Sequence, residues 1–227
     1  TSGEFYYHLA LIKTSLEQSG YAIHFGKMAL QIFMSEHNFI RILHTLMLLG
    51  INYTHSNILE EAESCFQHLI RNAEILQEES LLPQIFHNMG NLQQKMGNSK
   101  NALYYFEKSL AIQPAQNQDY LVTLYVIGEL HYSLHFDEKA RECFQEVYTL
   151  AKKFGIKKLW LLAEFYLLYI TAPAKGLKFL ETRVIPYLEE SNEHADYLFL
   201  FYKKLADFYN QEGKAAEAVK YLSKITE

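Results

Sequence analysis

Cysteine is scarce in this sequence: Cys65 and Cys143 are the only two in 227 residues. That excludes a disulfide framework and fits the reducing conditions of a cytoplasm. Each lies three residues after a small alanine, Ala62 or Ala140, and both read as small buried hydrophobes. No run of Lys or Arg occurs and the formal net charge is -5, so no nucleic-acid contact is expected from this segment. No stretch of about 18 uncharged apolar residues appears, so no membrane span is expected. The richest apolar window, residues 40–51, is too short and carries Arg41 and His44. The chain opens Thr1-Ser2-Gly3, with no signal peptide. GxSxG, HExxH, CxxC and Walker-type loops are all missing, so the reading names no catalytic residue and no cofactor. His131 and His135 stand four apart on one helix face, but the second falls at a turn and no partner ligand is near in sequence, so no metal is assigned. Glu60-Glu61 and Glu78-Glu79 read as solvated faces.

What is present is a repeat with a period near 39 residues. Its clearest copy runs from Pro83 to Pro114, with Met89-Gly90, then Ala102 and Phe106. Other copies carry Leu49-Gly50, Tyr53, Ala62 and Phe66; Gly128, Ala140 and Phe144; and Leu205-Ala206, Tyr209, Gly213, Ala218 and Leu222. Two weaker copies hold Leu9-Ala10, Ala22 and Ala29, and Trp160, Ala163, Leu167, Gly176 and Leu180. Ala10, Gly50, Gly90, Gly128, Glu164 and Ala206 occupy the glycine position, in steps of 40, 40, 38, 36 and 42. Glu164 stands where a small residue is expected. This is the small–aromatic–small pattern of a paired-helix repeat of the tetratricopeptide kind. The expected fold is all-α, about six antiparallel helix pairs stacked in a right-handed superhelix. Residues 1–227 are expected to form a single repeat domain, a fragment of a longer protein. Leu222 and Ile225 in its last helix would then need cover from a further repeat or from a second subunit in a homodimer.

The breakers set the expected ends. Gly97-Asn98-Ser99, Thr54-His55-Ser56-Asn57, His135-Phe136-Asp137 and Gln211-Glu212-Gly213 mark turns, with Asp137 as an N-cap. Residues 62–78 and 139–154 read as unbroken helix. Pro173 suits a helix start, and Pro186 should kink or break its helix after Val184-Ile185.

Call the first helix of each pair A and the second B. Such repeats line a concave surface with the face of A that points away from B. In the third copy that face offers Gln84, His87, Asn88, Asn91 and Gln94. Asparagine is a poor helix former because its side chain competes for nearby backbone groups. Its amide can also donate to a peptide carbonyl and accept from a peptide N–H. The fourth copy offers Tyr125, Glu129 and Tyr132, the fifth Leu161, Phe165 and Leu168, and the sixth Lys203, Asp207 and Asn210. A groove polar in the middle, apolar further on and charged at its end would suit a short peptide. Each aromatic named here could equally pack between repeats.

The run Met89 to Gly97 followed by Ala102 to Leu110 resembles the repeats of the Rap/NprR/PlcR/PrgX peptide-pheromone receptors of Gram-positive bacteria, and most those of NprR-type regulators. Leu205 to Asn210 with Ala218 to Leu222 does so too. The resemblance implies a cytoplasmic quorum-sensing receptor and transcription regulator. It would bind a short signalling peptide with asparagines on the peptide backbone, and Asn88 and Asn91 are the positions here that match. Two alternatives stay open. One is a generic tetratricopeptide scaffold for protein–protein interaction; Met47 and Ile51 lack the basic character of chaperone-tail binders. The other is a Rap-like regulator of a phosphotransfer protein.

Overall fold

The computed structural model describes residues 2–114, 117–191 and 195–226. They divide into two compact units, Thr1–Pro114 and Ala115–Glu227. The first holds α1 (Gly3–Ser15), α2 (Ser19–Ser35), α3 (Phe39–His55), α4 (Leu59–Ile75), a 3₁₀ turn (Glu79–Leu81), α5 (Leu82–Lys95) and α6 (Ser99–Ala111). The second holds α7 (Gln118–Ser133), α8 (Asp137–Phe154), α9 (Lys157–Thr171), α10 (Pro173–Phe179), a π turn (Leu180–Val184), α11 (Ile185–Ser191), α12 (Ala195–Gln211) and α13 (Ala215–Thr226). No strand occurs among the described residues. Six pairs result, with α10, the π turn and α11 together forming the B partner of α9.

The repeating glycines make the pairs close. A Cβ built on Gly50, Gly90 or Gly128 would come within 2.7, 2.5 or 2.8 Å of the ring of Phe66, Phe106 or Phe144, sixteen residues on. All three phenylalanines are fully buried. The fifth copy is built differently. Ala163, fully buried, takes the small place there, while Glu164 is only half-buried. Its close contact is Gly176, whose Cβ would fall 2.5 Å from the Cα of Tyr169. Within each unit, successive A helices also touch one another: α1 meets α3, α3 meets α5, and α7 meets α9. The A helices α1, α3 and α5 of the first unit, and α7 and α9 of the second, therefore stand side by side.

Turns recur with the same phase. Glu17, His37, Asn57, Gln77 and Gly97 all have positive φ and stand twenty residues apart; His135 and Gly155 repeat the interval. A non-glycine residue in this left-handed region costs about 1–2 kcal/mol. At His37 (φ 53) a glycine should relieve that cost, less its own greater entropy in the unfolded chain. We expect His37→Gly to stabilise the protein by about 0.5 kcal/mol, read from the midpoint of a denaturant melt.

Several local expectations are corrected. The helix read through 62–78 ends at Ile75, because Gln77 turns left-handed (φ 58). Asp137 is the first helical residue of α8, and Phe136 is the N-cap. Asn98 is the N-cap of α6, as the Gly97-Asn98-Ser99 run predicts, but its amide donates to Gln93 Oε1 at 3.2 Å and makes no cap bond. Pro186 does not break its helix. The π turn Leu180–Val184 runs directly into α11, and a widened turn can absorb the missing N–H.

Candidate functional site

In the first unit the polar A-helix face is only partly free. Asn88 is half-buried and its amide donates to Met47 Sδ at 3.4 Å, tying α5 to α3. Asn52 does the same one repeat earlier: fully buried, it donates to Thr14 Oγ1 and to the Leu48 carbonyl, both at 2.8 Å. Asn91 is half-buried and its side chain takes part in no hydrogen bond among the described residues. Gln84 and Gln94 are exposed. His87 is half-buried, with its ring 5.5 Å from that of Phe106. Sequence reasoning passed over Gln93, which is buried. It accepts from Asn98 and Asn101 and donates to Glu63 Oε1 at 3.4 Å, so it faces helix B.

In the second unit the fourth and fifth copies meet at a carboxylate. Glu129 Oε1 accepts from the hydroxyl of Tyr125 at 2.9 Å and from that of Tyr166 at 3.0 Å. Tyr125 is 1% exposed. Its ring packs on Phe144 and Tyr166, so it cannot line a surface as expected; it acts through Glu129. Tyr166, missed in the sequence, lies 4.5 Å from Phe144 in a near-parallel stack. Its one signal was its place 37 residues after Glu129, about one period. Tyr132 is half-buried against Tyr166 and Tyr169 at 5.5 and 6.1 Å between ring centres. Leu161 and Phe165 are core residues, 2% and 0% exposed, and Leu168 is half-buried, so the apolar groove segment expected there is not formed. Lys203, Asp207 and Asn210 stand exposed on α12, and no hydrogen bond or ion pair joins them to the Glu129 cluster.

Away from this face, two more glutamates tie the last repeats together. Glu181, in the π turn, accepts from the hydroxyls of Tyr209 and Tyr221 at 2.7 and 2.6 Å. Glu189 accepts from Tyr202 at 2.6 Å and pairs with Lys224.

Burial pushes the Glu129 carboxyl above the usual carboxylate range, and its two tyrosine hydrogen bonds only partly oppose that. A raised folded pKa means that the folded chain holds the proton more tightly than the unfolded chain. The resulting stability is fully present below the ordinary carboxylate pKa and is lost as pH rises through the folded value. Glu129→Gln removes the ionisation but keeps an acceptor for both tyrosines. We expect it to melt above the wild type at neutral pH, with the gap closing as pH falls into the carboxylate range. A variant that melts lower at neutral pH would contradict this. Cys65 is buried and its thiol is pushed up to about 11, chiefly by that burial.

Among the described residues no helix is long and apolar enough to cross a membrane, and no group of three His, Cys, Asp or Glu could hold a metal ion.

Paired helices joined by glycine–phenylalanine contacts, with a polar A face, define the class: this is a tetratricopeptide-repeat fold, and the tetratricopeptide repeat family matches residues 81–153. The particular likeness is to regulators of bacilli. The chain is 26% identical over 219 residues to the transcriptional activator NprA of Geobacillus stearothermophilus, covering 88% of this chain and 53% of that protein. It is 24% identical over 234 residues to response regulator aspartate phosphatase A of Bacillus subtilis (strain 168), covering 98% and 58%. The apo form of the quorum sensor NprR from B. thuringiensis superposes with a TM-score of 0.85 at 26% identity, over 100% of this chain and 65% of that one. NprR in complex with its cognate peptide NprX gives 0.77 at 26% identity, over 100% and 63%. The chain thus spans about half to two thirds of the length of these proteins. They are the regulators that its repeat residues resemble.

Proposed function

We propose that this chain is the sensory repeat domain of a cytoplasmic regulator of transcription, and that it binds a short signalling peptide on the polar face of its A helices. The observation that carries this is the likeness along the whole chain to NprR, a protein solved with its cognate peptide. Asn91 supports it, as a half-buried side-chain amide in mid-helix with no hydrogen bond among the described residues. In this reading Asn91 and Asn88 hold the peptide main chain, with Gln84, His87 and Gln94 beside them. Taken by itself, the second unit offers Glu129 and Tyr132 to a peptide, with Lys203 and Asp207 to read charge. The peptide favours one conformation of the repeats and shifts the population toward it. The domain acts by binding and not by catalysis, and any DNA contact is made by other parts of the protein.

The likeness to an aspartate phosphatase favours a second reading, a regulator that acts on a phosphotransfer protein. One experiment separates peptide sensing from plain scaffolding. The purified chain is incubated with pooled synthetic heptapeptides, and bound species are read by native mass spectrometry. Capture of a discrete peptide set supports sensing; capture of none would favour a partner-docking scaffold.

We also infer self-association through the last turn of α13, where Leu222 is 49% exposed and Ile225 is half-buried. Sedimentation across a concentration series should show a dimer. A strictly monomeric chain at high concentration would count against it.

A further inference from the structure

We propose that Glu129 is the receptor for a cationic group on the bound peptide: a lysine, an arginine or the α-ammonium. This rests on the peptide-sensing reading above and adds the chemistry that one subsite selects. Glu129 Oε1 is engaged by two tyrosine hydroxyls, at 2.9 and 3.0 Å, whereas Oε2 has no hydrogen bond within the described chain. The carboxylate has no countercharge. The ion pairs of the described residues join His8 and Arg41 to Glu4, Arg141 to Glu138 and Lys224 to Glu189, and none reaches Glu129.

Glu129 is half-buried, and a carboxylate partly withdrawn from water without a cation is costly. The two tyrosines compensate one oxygen by hydrogen bonding and leave the charge unbalanced. They also fix the carboxylate in place, so an arriving cation would meet an acceptor already oriented. The wall beside it is aromatic. Tyr132 contacts both Tyr166 and Tyr169, and Lys204 Nζ lies 4.6 Å over the Tyr169 ring, so this wall already holds one cation on a face. Glu129 also follows Gly128 as Asn91 follows Gly90, so the two residues hold the same place in successive repeats.

The test uses pooled random heptapeptides in two forms, free and N-acetylated, captured on the wild type and on Glu129→Gln and sequenced by mass spectrometry. The wild type should enrich Lys or Arg at one position, or lose binding on acetylation; the second result assigns the cation to the α-ammonium. Glu129→Gln should still capture peptides, but with that preference reduced on the order of tenfold or more. A purely structural Glu129 would change the melting temperature and leave the preference as it was. Wild-type capture without any cationic preference, or an unchanged preference in Glu129→Gln, overturns the subsite while leaving peptide sensing standing. Capture of no peptide by the wild type overturns both.

Discussion

Replacing Gly90 by leucine should destabilise the first unit by about 3 kcal/mol. A Cβ alone would sit 2.5 Å from Phe106 Cε1 and 2.6 Å from Cδ1, far inside van der Waals contact. Phe106 has no room to retreat, since it is 0% exposed. The added branches would therefore separate α5 from α6 and break the contact that defines the repeat. Two other glycines supply controls of opposite sign. Gly97 has φ +79 and no atom within 4 Å of a built Cβ, so Gly97→Ala should cost about 1 kcal/mol from backbone strain alone. Gly20 lies in α2 with open space around it, and Gly20→Ala should stabilise by about 0.5 kcal/mol. Urea melts of the three variants give the ordering. If Gly90→Leu proved as mild as Gly97→Ala, close approach would not be what that glycine provides. Phe106→Leu should then be combined with Gly90→Ala: recovery of part of the lost stability would place the cost in that one contact.

The glycine–phenylalanine pairs were legible in the sequence because the contact is local. A small residue and a ring sixteen positions later recur in phase, and only a helix hairpin joins them. The fifth copy misled because α9 runs eight residues past Ala163, to Thr171, where α3, α5 and α7 each run five past their glycine. Counting back from Gly176 therefore placed Glu164 where Ala163 sits, and it read Leu161 and Phe165 as groove-lining when they are core. Pro186 misled because helix-breaking rules assume an α-turn, and here a π turn stands just before it. Within the candidate site, polarity and phase picked out Asn91, Glu129 and Tyr132. They could not tell that Tyr125 turns inward, because its hydroxyl is satisfied by a partner on its own helix. Nor could they show Tyr166 completing that carboxylate, because the bond reaches across to the next repeat and depends on how the two A helices pack.

The two asparagines of α5, read from the sequence as one pair, should separate in experiment. Asn91→Ala should weaken binding of a peptide recovered by capture by about 1–3 kcal/mol, because a ligand amide loses its partner in a half-buried setting. Stability should hold or rise slightly, since the Asn91 side chain has no hydrogen bond among the described residues to lose and alanine is the better helix former. Asn88→Ala removes in addition the donor to Met47 Sδ, and with it a tie between α3 and α5. It should therefore lower the melting temperature as well as the affinity. Calorimetry and thermal melts on both variants resolve the two effects. Unchanged affinity with lowered stability at Asn91 would make that residue structural. The likeness to a peptide-bound relative would then remain, but this chain would have to grip its peptide by groups other than the asparagine that its own packing leaves free.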